Sequence, residues 1–289
     1  MNLHKAIALI CTFSFLVSIT TLASDFQTPR TSGLGGAGHA APVLTDAVYQ
    51  NPSYISMMPV LALGLNDLSY PGRGLPKSAN GDEAFSNSYN VSAQNGSRDS
   101  WFQYGIGYSQ GDFFSSVHLV FSKGFSDRFS MGIGTKVITP AGGTEERFVD
   151  GSLAVSGIAT DWFRFSLILD NVLDSGKANG LSREFTLGTK FNLFSVLQLY
   201  LDPLWVSDSI FGQSGWGYEL GAEFPFLDYF FLRTGIFKNA NVPHEGLRGD
   251  GFGFGLGILM PFTSLDYAYT RVLGAVTTFA HHFSITFYL

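Results

Sequence analysis

The sequence holds a single cysteine, Cys11, in 289 residues. One thiol excludes an intramolecular disulfide framework and a cysteine-rich metal site. Charge is also scarce, with Asp, Glu, Lys and Arg making up 14% of the chain against roughly 25% in an average soluble domain. The basic sign is the rarer one, 17 Lys and Arg against 23 Asp and Glu, so no nucleic-acid surface is implied. Beyond the N-terminal stretch there is no run of about 20 apolar residues, which excludes a later membrane-spanning helix. Glycine, at 34 residues, and aromatics, at 15% with 28 Phe, are abundant instead. A mean hydropathy of only +0.17 with so little charge fits neither an ordinary soluble enzyme nor a helical membrane protein. It fits a glycine- and aromatic-rich β-protein.

The N-terminus reads as an address. Lys5 is followed by an apolar stretch from Ala6 to Leu22 broken only by Ser and Thr, and Thr21-Leu22-Ala23 offers small residues for cleavage. This is the layout of a secretory signal peptide over 1–23, removed near Ala23. A membrane anchor would need a longer and less polar span, and Ile10 before Cys11 argues against lipidation. Export without an anchor leaves a soluble secreted protein or a barrel in a bacterial outer membrane.

From Pro59 onward the dominant period is two, that of a strand. In 252–260, Phe252, Phe254, Leu256, Ile258 and Met260 alternate with Gly253, Gly255, Gly257 and Leu259. In 216–224, Trp216, Tyr218, Leu220, Ala222 and Phe224 alternate with Gly217, Glu219, Gly221 and Glu223. The segments 162–171, 184–191 and 282–289 repeat the theme. Lys136, Arg164, Asp170, Glu184, Lys190, Asp202, Glu219, Glu223, Arg233 and Asp266 all fall opposite the large apolar residues. In a soluble sandwich the apolar faces would meet in a core and the other faces would be well charged. Here the polar face is full of Gly and Ser, as a lumen would be, while the aromatic face suits lipid, where a charge at the midplane costs about 2–4 kcal/mol. The prediction is an all-β chain, a transmembrane antiparallel β-barrel over 59–289 with about 14 strands. The segment 84–92 puts Asn87 on its lipid face, and without that segment and its partner the count would be about 12. Short turns alternate with longer connections, so both barrel ends fall on the periplasmic side.

Between leader and barrel, residues 24–58 are rich in small side chains: Thr31-Ser32-Gly33-Leu34-Gly35-Gly36-Ala37-Gly38, then Asp46, then Asn51-Pro52-Ser53. Gly33 to Gly38 matches G-x-G-x-x-G in letters, but with no strand before it and no βαβ unit around it, a dinucleotide site is not expected. These residues resemble the N-terminus of the FadL/TodX outer-membrane transport family, and more loosely that of PorV-type barrels. The resemblance implies that Ser32 to Pro52 folds into the barrel as a hatch plugging the lumen, with Ser32, Gly33, Leu34, Gly35, Gly36, Gly38, Asp46, Asn51 and Pro52 as its marked positions. It further implies passive uptake of small hydrophobic molecules such as fatty acids or aromatic hydrocarbons, with a lateral exit where a strand is interrupted. Gly105 and Gly107, or Pro203, mark candidate weak points in the wall, since a mid-strand Pro removes a ladder hydrogen bond. The PorV likeness implies instead a structural barrel that anchors exported proteins. Lumen glycines at 253, 255 and 257, with 105, 107, 132 and 134, would either admit a hatch backbone or relieve crowding in the wall.

Catalytic constellations are thin. His282-x-Ser284 on the last strand is similar to the His-x-Ser pair of outer-membrane lipid A deacylases, with Asp266 as a conceivable orienting acid; His and Ser are equally ordinary lumen fillers. Glu219, Glu223 and Arg233 read as lumen ion pairs, and Arg248-Gly249-Asp250 as a glycine turn in the 239–251 connection. The expectation is a non-enzyme without metal or cofactor, whose partners are membrane lipid, a hydrophobic substrate and the outer-membrane assembly machinery. The alternating aromatic end with Phe287 and Leu289 is similar to the signal that such machinery reads.

Overall fold

A computed structural model describes residues 26–71, 85–112, 114–140, 147–176, 181–194, 196–207, 215–227, 229–242, 247–273 and 277–289. The expected leader over 1–23 and its cleavage site lie outside the described residues. Ahead of the sheet come α1 (Pro29–Gly33), a 3₁₀ turn (Leu44–Asp46), α2 (Ala47–Gln50) and a 3₁₀ helix (Pro52–Met57). The strands are β1 (Leu61–Pro71), β2 (Phe85–Asn95), β3 (Gln103–Gln110), β4 (Phe114–Ser126), β5 (Phe129–Pro140), β6 (Phe148–Thr160) and β7 (Phe163–Asp170). They continue as β8 (Glu184–Leu193), β9 (Leu197–Val206), β10 (Gly215–Phe226), β11 (Phe230–Val242), β12 (Leu247–Met260), β13 (Thr263–Leu273) and β14 (Thr278–Tyr288). Each pairs with its sequence neighbours, and β1 pairs antiparallel with β14, so the sheet closes into a barrel of 14 strands with no free edge.

The count of 14 removes the 12-strand option. β2 is laddered to β1 and to β3, and Asn87 sits exposed near its end, opposite Ser69, where an outward polar group costs little. A second correction concerns Arg248-Gly249-Asp250. β11 runs on to Val242 and β12 starts at Leu247, so the triplet belongs to a strand. A register shift between Phe237 and Ala240 and a left-handed Asn239, φ 48°, absorb the extra residues.

Alternation builds the wall. Outward positions carry Leu63, Leu65, Ile106, Leu119, Ile133, Phe254 and Leu256, all exposed, while the inward positions beside them include Gly64, Gly105, Gly107, His118, Gly132, Gly134 and Gly255. Branched and aromatic residues on one face of a pleated strand are what strands favour. Asp67, Lys238, Asp250 and Arg271 depart from the one-sided rule, facing outward from β1, β11, β12 and β13. The short connections after β4, β6, β8, β10 and β12 occupy one end of the barrel, here the turn side, and the connections at the other end form the loop side. Lys238, Asp250 and Arg271 lie near the loop-side ends of their strands.

Inward charges settle a problem of register. Arg164 stands opposite Lys190 and Asp170 opposite Glu184 across β7 and β8, two like-charge pairs that would repel. Each reaches elsewhere: Asp170 to Lys136 at 2.8 Å, Glu184 to Arg248 at 2.6 Å, Arg164 to the Tyr54 hydroxyl, and Lys190 over the Tyr200 ring at 5.3 Å. The barrel is thus cross-braced through its interior.

Candidate functional site

The interior is occupied by residues 26–58. Phe26 packs with Leu68, Tyr70 and Ala280 at the loop side. α1 lies against β11 to β14, and the 3₁₀ helix Pro52–Met57 lies against β3 to β6. Ser56 reaches Ser122 towards the turn side. The segment therefore descends the lumen from one end to the other.

Local chemistry explains its shape. Thr28 caps α1 through its side chain, and Pro29 takes the first helical position, where a missing N–H is harmless. After α1 the chain turns through Gly35, Gly36 and Gly38, all at positive φ (67°, 91° and 127°), angles that L-residues resist. Asn51 caps the 3₁₀ helix: its Oδ1 accepts from the Ser53 N–H at 3.1 Å and the Ser53 hydroxyl at 2.6 Å, and Pro52 follows at the first position. Its Nδ2 donates to the His39 carbonyl at 2.7 Å and to Ser156 at 2.9 Å. The Asn-Pro pair is thus a cap that also fastens the segment to β6.

Contact with the wall is backbone on backbone. A Cβ at Gly253 would collide with the Ser32 carbonyl, one at Gly235 with the Leu34 backbone, and one at Gly132 with Pro52 and Ser53. Gly255 faces Gly33, while Gly105 and Gly107 admit Val48, Ile55 and Tyr49. Gly257 and Gly134 instead make room for wall side chains, Asp266 with Arg233 and Ser152. Both roles considered for the lumen glycines therefore occur, at different positions. Leu34, fully buried with Ala37 and Tyr200, fills the cradle that Gly221 and Gly235 leave; such burial is worth about 1.5–3 kcal/mol.

Polar groups lock the arrangement. Arg30, buried, donates through Nε to Glu223 at 3.3 Å and through Nη2 to the Tyr200 hydroxyl at 2.8 Å, and lies 3.7 Å from Asp46. Glu223 also takes Arg233 Nε at 2.6 Å, and Arg233 Nη1 reaches Asp266 at 2.5 Å. Burial works against the Arg30 guanidinium, but the Glu223 carboxylate, with the Tyr200 hydroxyl and the Asp46 carboxyl, outweighs it and raises its pKa further. For Asp46 burial wins over the Arg30 charge, and its carboxyl is pushed up to about 6. Gly38 N and His39 N donate to Asp202 Oδ2 at 2.8 and 2.9 Å. His39 Nδ1 lies 3.0 Å from the same oxygen and 3.4 Å from Glu219 Oε2. Burial lowers the His39 pKa, yet the Asp202 hydrogen bond and the Glu219 charge push it up to about 9.

Of the positions singled out in sequence, Ser32 meets His282 Nδ1 at 3.0 Å, and Lys136, Glu184, Lys190, Glu219, Glu223, Arg233 and Asp266 all take part in the inward network. The deacylase arrangement is not assembled. His282 turns Nδ1 to Ser32 and Nε2 to Thr270, and Asp266 is engaged by Arg233 and Ser264. At the wall, the ladders through Gly105 and Gly107 are continuous. Beside Pro203 the β8–β9 ladder is interrupted between Thr186–Leu204 and Lys190–Tyr200, and the Asp202 carboxylate takes the Thr189 N–H at 2.9 Å.

Sequence reasoning passed over Arg30, His39 and the apolar residues that face inward near the loop side, among them Leu68, Tyr70, Phe114, Ile138, Leu204 and Val206. Arg30 had a signal, being the only Lys or Arg in 24–58. The inward apolar residues had a weaker one: near the loop-side ends both faces of a strand become apolar, as in Leu204-Trp205-Val206. Phe26, Leu68, Tyr70 and Phe114, with polar neighbours from β2 to β4, enclose a cavity of about 20 Å³. At the turn side Met57, Gln103, Lys123 and Phe125 border a hollow of about 400 Å³.

No family model and no curated protein matches the chain by sequence. Solved structures do match it in fold. The CymD monoaromatic hydrocarbon channel superposes with a TM-score of 0.64 at 13% identity, over 94% of this chain and 98% of that one. The Pseudomonas putida toluene transporter TodX gives 0.65 at 12%, over 93% and 99%. A Pseudomonas aeruginosa FadL homologue gives 0.56 at 14%, over 92% and 99%. At these identities the likeness is one of architecture, and the chain has the fold of the FadL/TodX outer-membrane channels.

Proposed function

We infer that this chain is an outer-membrane channel for passive uptake of small hydrophobic molecules, fatty-acid-like or hydrocarbon-like, entering from the loop side. The observation that carries this reading is the apolar loop-side cavity, closed by Phe26 against Leu68, Tyr70 and Phe114. The fold neighbours, named as monoaromatic hydrocarbon channels and a toluene transporter, support it. At about 20 Å³ the cavity holds no more than a water, so residues 26–58 act as a hatch that shifts to let substrate pass. A lateral exit beside Pro203 suits the interrupted β8–β9 ladder. The leader over 1–23 directs export, and the closing strand with Phe287 and Leu289 is what the outer-membrane assembly machinery reads.

A scaffold reading, a PorV-type barrel that anchors exported proteins, has one observation in its favour: the lumen is crossed by Arg30, Glu223, Arg233 and Asp266 in a single ion-paired chain. Liposome uptake of an apolar probe and single-channel conductance separate the two, with and without residues 24–52. The channel reading expects apolar uptake by the intact protein, faster in Phe26→Ala, and a conductance that opens when the segment is deleted. A barrel that neither conducts nor admits the probe in any form is a closed scaffold.

A further inference from the structure

We propose that His39, Asp202 and Glu219 form a binding site for a divalent transition-metal cation, with zinc the best fit, and that the bound ion fastens the N-terminal segment to β9 and β10. Asp202 and Glu219 are cross-strand partners on β9 and β10, and His39 joins them because the segment lies inside the barrel. Each offers one ligand atom, and the three atoms lie within 4.8 Å of one another. His39 Nδ1 is 3.0 Å from Asp202 Oδ2 and 3.4 Å from Glu219 Oε2. A tetrahedral zinc with bonds of about 2.0–2.2 Å holds its ligand atoms roughly 3.3–3.6 Å apart, so two of the three spacings are already near those of a bound ion. One imidazole and two carboxylates are a donor set that zinc accepts.

The second observation is Glu219 itself. Its side chain is 5% exposed, and among the described residues Oε2 accepts no hydrogen bond. Its polar neighbour is His39 Nδ1 at 3.4 Å, an imidazole already bonded to Asp202, and a buried carboxylate oxygen that makes no hydrogen bond is costly. Asp202 is held in place by backbone: Oδ2 by the Gly38 and His39 N–H groups, Oδ1 by the Thr189 N–H. Such outer hydrogen bonds fix the orientation of a metal-binding carboxylate. A divalent cation would take the place of the proton that the imidazole and the two carboxylates share, with His39 giving up its Nδ1 proton to solvent as the ion arrives. His39 and Glu219 also line a loop-side cavity of about 60 Å³, which Asp170 and Glu184 border as well. It supplies an entry path and room for a water as fourth ligand, while Lys136 and Arg248 neutralise the two bordering acids.

The test uses the full-length protein in detergent, stripped with a chelator and titrated with zinc ion alone. The expected result is one ion per chain by calorimetry and elemental analysis. Binding should weaken at least tenfold in Glu219→Gln and in His39→Asn but persist in His281→Ala, whose ring lies on the outer wall. Glu219→Gln keeps the side-chain volume, and cobalt substitution of the unaltered protein reads tetrahedral coordination without any variant. Protease cleavage within residues 26–58 should slow when zinc is bound. Absence of stoichiometric binding, equal binding in both site variants, or a cobalt spectrum of a six-coordinate hydrated ion would overturn the site. Stoichiometric binding with unchanged cleavage would overturn its fastening role. The inference does not depend on uptake: a barrel that binds zinc and transports nothing leaves it intact.

Discussion

Arg30 is the residue on which the interior turns. It is 4% exposed, and taking a guanidinium out of water is tolerable only with partners in place. Glu223 and Tyr200 come from the wall, Asp46 from the segment itself. Arg30→Ala should therefore release the segment while the barrel stays closed, because Glu223 keeps Arg233. Breaking such a buried pair costs about 3–5 kcal/mol, and conductance with faster proteolysis of residues 26–58 reads the loss. Glu223→Gln should be the more damaging change, since it leaves two arginines facing each other. Asp46 gives the interior a pH dependence of defined sign. Its carboxyl, raised from 3.8 to about 6 by burial against the Arg30 charge, binds more protons when the segment is docked than when it is free. Docking therefore weakens as pH rises through this range and is strongest below about pH 4. Arg30, Arg233 and Asp266 are the other charges that face it. Hydrogen-exchange protection factors over 26–58, corrected for intrinsic exchange, should differ between pH 4 and pH 7 in the parent protein and converge in Asp46→Asn. At this scale the sequence was only partly legible. Asn51-Pro52 was marked by the family resemblance and its capping role shows only in the structure, while the wall partners of Arg30 and His39 lie in strands more than a hundred residues away.

At the scale of elements, the fit between α1 and β11 to β13 depends on missing side chains. Gly253→Ala would place a methyl against the Ser32 carbonyl, whereas Gly134→Ala meets the Ser152 hydroxyl, which can turn aside, and a Val120 methyl at 3.2 Å, which has to give by only a few tenths of an ångström. The first should displace the segment without unfolding the barrel, and the second should leave conductance and protease protection unchanged. The strands were the most legible part of the molecule, since period-two alternation over about ten residues is a repeated signal. Even β2, the weakest by pattern, forms because it has partners on both sides. Two features were less legible. The bulge that carries β11 and β12 past Asn239 depends on a backbone angle. The double apolar character of the loop-side ends breaks the alternation that identifies a strand in the first place.

For the whole molecule, the outer surface is a lipid-facing shell whose tolerance for charge depends on height. Leu119 faces outward within β4 and Leu273 at the loop-side end of β13. Leu119→Arg should cost about 2–4 kcal/mol and Leu273→Arg about 0–1, measured as reversible unfolding in lipid bilayers. Lys238 and Arg271 already sit at such shallow positions. Closure, strand number and the inward direction of the charged set were readable because each is a property of the repeated unit. The course of residues 26–58 through the lumen was not, since a segment of small residues carries no period that gives a direction.

That course has a consequence for how the molecule is made. The seam of the barrel joins Leu61 to Leu289 through reciprocal backbone hydrogen bonds, a contact between opposite ends of the sheet that is slow to form. The chain preceding β1 runs through the ring that this seam completes. A ring closed first would have to be threaded afterwards by a peptide whose arginine and carboxylates shed water on the way. Desolvation therefore favours one order of events, in which the segment is gathered between the curling strands before the seam zips and the last strand is laid down around a core already in place.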